Sequence, residues 1–158
     1  MLSAIRRQVG QFAFGSVAVA TKALMAPVAF GVHALMVNRD GGVALARHSY
    51  TAGLSLPGGG VKRGEPPARA ILRELAEELG TVRSDPPVLF ALYTRPTAWA
   101  TNVIALYRLM NCEVDFRPSL EVRELFFVDP ENPPAGIAPG SARRIAEHLG
   151  KAPIRPFW

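Results

Sequence analysis

Cysteine is almost absent from this chain, and that scarcity removes several classes of protein at once. Cys112 is the single thiol in 158 residues, so the chain has no internal disulfide framework and no thiolate pair to bind a metal. A lone thiol fits a reducing compartment, and the cytoplasm is the expected location. Histidine is scarce too. His33, His48 and His148 are scattered, with no pair at i, i+4, so a histidine-based zinc site is not supported. Any metal here is expected to be a hard cation held by oxygen. Long apolar runs are also missing: the stretch from Val9 to Ala20, preceded by Arg6 and Arg7, contains Gln11 and Ser16 and falls far short of a membrane span. There is no internal repeat and no low-complexity linker, and the length sets an expectation of one domain with one sizeable core.

What the chain does have is positive charge. A formal net charge of +5 and an isoelectric point near 10.0 suit an anionic partner such as a nucleotide, a nucleic acid or a membrane surface. Leu2, Ile5, Val9, Phe12 and Val19 recur at helical spacing. Residues 1–26 are therefore expected to form an amphipathic helix docked on the domain or on a partner subunit, which would support a homodimer; a membrane-surface helix and a cleaved signal are the alternatives.

From Pro27 onward the pattern changes to short strands. Val28 to Val37 reads as a buried strand, Asn38 to Gly42 as a turn, and Val43 to Arg47 as a second strand forming a hairpin with the first. Pro66-Pro67 suits a helix start. Ala68, Ile71, Leu72, Leu75 and Leu79 then share one helical face that stops at Gly80, the clearest helix in the sequence. Val88 to Thr94, Val103 to Met110, Glu113 to Phe116 and Leu125 to Val128 read as further strands. A last helix is expected over Ser141 to Leu149 with Ser141 as its N-cap, followed by a tail over residues 151–158 that shows no period. Strands on both sides of a central helix, closed by another helix, indicate an α/β layered domain over residues 27–150, with a mixed sheet between helices.

One helical segment is chemically unusual. At 100° per residue, Glu74, Glu77 and Glu78 fall within about 100° of one another beside the apolar stripe. Glu74 repels Glu77 at i, i+3 and Glu78 at i, i+4, and the last two also face the negative end of the helix dipole. A solvated acidic face is the ordinary explanation of such a run. A divalent cation is the chemical one, because it converts repelling carboxylates into ligands.

What tips the balance is the register of the surrounding residues. Gly59, Glu65, Arg73, Glu74, Leu75, Glu77, Glu78 and Gly80 match in spacing the Nudix box, G-x5-E-x7-R-E-U-x-E-E-x-G-U, where U is bulky and aliphatic. A chance match in a chain this short is on the order of one in a million from background residue usage. The segment from Gly59 to Thr81 thus resembles the Nudix hydrolases, and Leu56-Pro57-Gly58-Gly59-Gly60 resembles the loop that enters the box in bacterial members. Three positions depart from the pattern: Thr81 where an aliphatic residue is usual, Lys62 where relatives are often acidic, and Leu54 where many carry Trp.

The resemblance implies a Nudix-type α/β/α sandwich that cleaves a diphosphate linkage in a nucleoside diphosphate joined to another moiety. It implies Mg²⁺, or Mn²⁺, held by Glu74, Glu77, Glu78 and a backbone carbonyl at Gly59. Glu65 and Arg73 are expected to pair and fix the loop on the helix, with Arg73 pointing away from the carboxylate patch. Glu78 is one candidate for the base; Glu121 and Glu124, on a later loop, are the others. Arg47, His48, Arg95 and Trp99 are candidate substrate contacts. The alternative is a Nudix-fold domain that binds such a nucleotide without cleaving it. A basic module for RNA or membranes is a weaker third reading, since no aromatic RNA-binding motif or dense Lys/Arg cluster is present. The sequence leaves ADP-ribose, dinucleoside polyphosphates, nucleoside triphosphates and capped RNA all open as substrates.

Overall fold

The computed structural model describes residues 27–158; the N-terminal helix expected over residues 1–26 lies outside the described residues. Strand β1 (Val28–Met36) is nearly all apolar, and its second half is buried on both faces. Asn38 closes the turn that follows, its side-chain oxygen accepting hydrogen bonds from the Asp40 and Gly42 amides at 3.1 and 2.7 Å, the local bonding that favours Asn in turns. Strand β2 (Val43–His48) does not return along β1 as a hairpin. A single bridge, Val37 to Val43, closes the turn just past β1, and β2 pairs instead antiparallel with β8 (Val122–Val128). The reason lies in its side chains. Val43 and Leu45 enter one core cluster, Ala44 and Ala46 the other, so β2 is buried on both sides and is not a half-exposed hairpin arm.

The central sheet has the order β3-β1-β6-β5. Strand β3 (Gly58–Gly60) runs antiparallel to β1, β6 (Thr101–Leu109) parallel to it, and β5 (Val88–Pro96) antiparallel to β6, so the sheet is mixed. Helix α1 (Pro67–Leu79) covers one face, burying Ala70, Ile71, Leu75 and Leu79 against Val32, Ala34 and Met36. Helix α2 (Pro139–His148) covers the other, where Ile145 joins Leu35, Leu45, Leu54, Tyr93 and Leu106. The α/β sandwich read from the sequence is the architecture observed.

The structure adds three features that the sequence pattern did not give. A short strand, β4 (Gly80–Arg83), follows α1 without a linker and pairs with β7 (Glu113–Phe116). Gly80 makes this turn at φ +90°, where a Cβ would lie 2.8 Å from the Asp115 carbonyl oxygen, so only glycine fits. Helix α2 begins at Pro139, not Ser141. Ser141 is buried inside the first turn and its Oγ accepts the Leu56 amide at 3.0 Å, so its hydroxyl ties a loop rather than capping the helix. Finally, residues 151–158 fold back on the domain: the Thr94 amide donates to Pro156 at 2.7 Å and the Trp158 amide to Thr94 at 3.0 Å.

Candidate functional site

Two backbone segments build the acidic site. The glycines of β3 lie flat against β1, with Gly58 opposite His33 and Gly59 opposite Val32. At Gly58 φ is +144° and a Cβ would stand 2.1 Å from the Val32 carbonyl; at Gly59 it would stand 2.4 Å from Glu74 Oε2. Absence of side chains therefore lets the last two turns of α1 press their carboxylates onto the strand. Glu78 is 3% exposed, and its Oε2 accepts the Gly58 amide at 3.1 Å.

Burial pushes the Glu78 carboxyl up to about 7, with the charges of Glu74, Glu121 and Glu77 adding to the shift and the Gly58 hydrogen bond opposing it. Arg73 grips the neighbouring groups. Its Nε and one terminal nitrogen hold the two Glu65 oxygens at 2.8 Å each; it also donates to Glu74 at 2.7 Å, Glu77 at 3.0 Å and the Gly60 carbonyl at 2.9 Å. The pair with Glu65 is present, but Arg73 does not point away from the carboxylates. A helical wheel fixes the direction of Cβ, whereas the long guanidinium side chain reaches back along the helix. Hydrogen bonds from Arg73 and the Lys62 amide hold the Glu65 carboxyl down at about 2.

Glu74, Glu77 and Glu78 face a cavity of about 300 Å³ completed by Ser119, Leu120 and Glu121. Ser49, just past the end of β2, fixes the far side: its amide donates to the Glu121 carbonyl and its Oγ to the Leu120 carbonyl, both at 2.8 Å. Of the two later glutamates, Glu121 is thus at the cavity. Glu124 is not, being paired across the ladder with Arg47, which is itself exposed. Among the described residues no three carboxylate, imidazole or thiolate groups already stand as a coordinating set, and Arg73 draws oxygens of Glu74 and Glu77 toward itself. The donors nonetheless suit a hard divalent cation: four carboxylates round one cavity, one of them buried.

A second cavity, of about 500 Å³, is lined in part by Gly58. His48, Tyr50 and Arg95 are among its lining residues. His48 is buried, its Nδ1 has no hydrogen-bond partner, and it stands 3.9 Å from Glu78 Oε1; burial holds its pKa down. Trp99, expected as the stacking residue, is 87% exposed and does not line this cavity. Trp158 does. Trp158 was not legible in the sequence because residues 151–158 have no period; the available signal was the presence of Ile154, Phe157 and Trp158 in a short segment outside any helix or strand pattern.

The sequence profile of the NUDIX domain matches residues 27–148. The chain belongs to the Nudix family. No functionally curated protein matches it by sequence. Among solved structures, this Nudix chain is similar to a MutT Nudix hydrolase from Burkholderia pseudomallei, at TM-score 0.66 and 23% identity, covering 77% of this chain and 98% of that one. It is similar to a MutT protein from Methanosarcina mazei Go1 at 0.67 and 22%, covering 80% and 95%. An ADP-ribose pyrophosphatase from Streptococcus suis aligns at 0.58 and 20%, covering 82% and 96%.

Within this Nudix domain the three departures from the box pattern have structural reasons. Thr81 faces solvent on β4 while the adjacent Val82 packs on the core, so the aliphatic position is displaced by one residue. Lys62 Nζ lies 3.6 Å from Glu77, and a cation there moderates the glutamate cluster where an acid would add to it. Leu54, 6% exposed, fills the second core cluster and lines neither of the two cavities described above.

Proposed function

We propose that this Nudix domain hydrolyses a diphosphate linkage in a nucleoside diphosphate joined to another moiety. The observation that carries the reading is the buried Glu78, set on the box helix beside three further carboxylates around one cavity. Similarity to solved proteins named MutT hydrolase and ADP-ribose pyrophosphatase supports a nucleotide-like substrate.

Glu74, Glu77 and Glu78, with the Gly59 carbonyl, would hold Mg²⁺ or Mn²⁺. When bound, the cation supplies positive charge to the diphosphate oxygens and acidity to an attacking water. The protein's own groups do the rest. Glu78, buried against Gly58 at the edge of the cavity, is one candidate base; Glu121, which lines the same cavity, is the alternative. Arg73, anchored by Glu65, sets the positions of Glu74, Glu77 and the Gly60 carbonyl. Its role is positional, because every one of those bonds is to the protein. We place the reaction in the cytoplasm, on the nucleotide-like substrate and the buried thiol of Cys112.

One observation favours a domain that binds without cleaving: Arg73 already occupies an oxygen of Glu74 and one of Glu77. The two readings separate in one assay, release of phosphate or mononucleotide from ADP-ribose, dinucleoside polyphosphates, nucleoside triphosphates and capped RNA, with Mg²⁺ or Mn²⁺ and then with EDTA. Metal-dependent release from any substrate supports hydrolysis. A folded protein that releases nothing from any of them refutes it.

A further inference from the structure

The family match begins at residue 27, and one face of the sheet is left open where the chain enters it. On β1 the side chains of Val28, Phe30, Val32 and Ala34 alternate onto the α1 side. Val32 and Ala34 are buried there, whereas Val28 and Phe30 are exposed. Helix α1 lies over β3 and β1, and no residue of β5 belongs to the core cluster beneath it. The strand register carries the open face across to that edge. Leu92 stands opposite Ala105 and Leu89 opposite Tyr107, both residues of the α1 side; Leu92 is 55% exposed and Leu89 is exposed beside it. Exposed Leu72 borders the same face from above. It lies across the buried stripe of α1 from Glu74, and Glu74 packs on Gly59 of β3, so Leu72 is turned toward β6 and β5.

A contiguous apolar face on a folded domain marks a contact surface, and the chain itself supplies a segment that reaches this one. Residues 1–26 run directly into β1. Their point of entry is fixed: the Thr101 amide donates to the Pro27 carbonyl at 3.0 Å, so residue 26 meets the domain beside Val28, at one end of the open face. The other end, at Leu89, is level with Tyr107, and Thr101 to Tyr107 spans about 20 Å at the rise of a strand. Leu2 to Val19 spans about 26 Å at the rise of a helix, which leaves residues 20–26 for the reversal of direction. Leu2, Ile5, Val9, Phe12 and Val19 give such a helix one apolar flank. The covalent tether raises the segment's local concentration to about the millimolar range, which favours it over a second copy arriving from solution. Residues 1–26 also carry Arg6, Arg7 and Lys22 and no Asp or Glu, so an anionic membrane competes with the domain for the segment.

We propose that residues 1–26 pack as a helix along this face of their own domain, with the flank of Leu2, Ile5, Val9 and Phe12 against the open row of Phe30, Leu92 and Leu89. The segment that precedes the family match is then an intramolecular cover, and the exposed leucines of β5 are its seat. Burial of apolar side chains on both partners drives the contact. The docking needs neither metal nor substrate, so it stands or falls apart from the hydrolytic reading.

The test follows a thiol placed on the face. Cys112 is buried, so a thiol introduced at the surface can be timed by its reaction with a thiol reagent. In the full-length chain the thiol from Leu92→Cys should react at least about tenfold more slowly than one from Leu120→Cys, an exposed position on the loop beside the acidic cavity, as a site that reacts only on local opening does. Val9→Asp with Phe12→Asp should abolish that difference. Ser3→Asp with Gln11→Asp, the same added charge on the opposite flank, should leave it, with circular dichroism verifying the fold of each variant. Fast reaction at position 92 in the chain with residues 1–26 unaltered overturns the proposal, and this comparison does not depend on the aspartate variants. Protection that survives Val9→Asp with Phe12→Asp, or that both aspartate pairs remove equally, overturns it as well. Light scattering that finds the protected form only as a dimer gives the face to a second copy. Fast reaction at position 92 with co-sedimentation of the full chain on phosphatidylcholine–phosphatidylserine vesicles gives residues 1–26 to a membrane surface instead.

Discussion

Glu78 shows how much one residue's surroundings can decide. In the metal-free protein its carboxyl binds a proton more tightly folded, near pH 7, than unfolded, near the ordinary 4.5. Its protonated form therefore contributes stability that is fully present below about pH 4.5 and is lost as pH rises through 7. Melting curves in EDTA should show wild type losing stability across that interval, and Glu78→Gln should flatten the dependence; identical profiles would show that burial does not perturb this group. The same substitution should lower metal-supported turnover by at least about a hundredfold, read as kcat with the fold verified by circular dichroism. Cys112 gives a simpler case. Burial raises its thiol to about 11, so native protein at pH 8 should react with a thiol reagent far more slowly than unfolded protein. Fast native labelling would mean that the strand end around it opens readily.

At the scale of elements, legibility in the sequence followed period and length. Helix α1 was readable because thirteen residues repeat an apolar face and the box glutamates fall at fixed offsets on it. Strand β4 was hidden because four residues after a helix-ending glycine carry too little pattern. The partner of β2 was misread for a different reason: a strand buried on both faces shows no alternation to reveal its neighbours. Side-chain reach explains two further surprises, Arg73 turning back onto the glutamates and Glu124 turning away to Arg47. Two glycines of the box, Gly59 on β3 and Gly80 at the C-terminal end of α1, can be separated by experiment. Gly59→Ala pushes only on the mobile end of Glu74, so the fold should survive while turnover falls at least about tenfold, the cost of displacing a positioned group. Gly80→Ala meets backbone at a positive φ and should cost about 1–3 kcal/mol in chemical denaturation, with the loss appearing as stability first. Equal stability losses in the two variants would argue against this division.

For the molecule as a whole, the two cavities are linked through Gly58, which lines the larger one and whose amide donates to Glu78 of the acidic one. The buried Arg144–Glu147 pair, bonded at 2.7 Å, is what extends the domain past the family match, since Arg144 also donates to the Phe157 carbonyl at 3.2 Å. Replacing Arg144 with Met would leave Glu147 buried and uncompensated, at about 3–5 kcal/mol, whereas Glu147→Gln with Arg144→Met together should restore much of the loss. A double-mutant cycle by urea unfolding measures the difference. Strict additivity would mean that the pair is not coupled and that residues 151–158 are held by backbone bonds alone.

The direct passage from α1 into β4 through Gly80 also bears on how chains of this kind can vary. Because no linker separates Glu78 from Val82, inserting even one residue there would exchange the inward and outward sides of the strand, exposing Val82 and burying Thr81. Insertions and deletions should therefore accumulate elsewhere, in stretches such as 129–135, which are largely exposed and precede the contacts of Gly136 and Ile137 with Leu54. The spacing from the first box glutamate to Val82 is, in effect, a length standard that substitution can decorate but that length change would break.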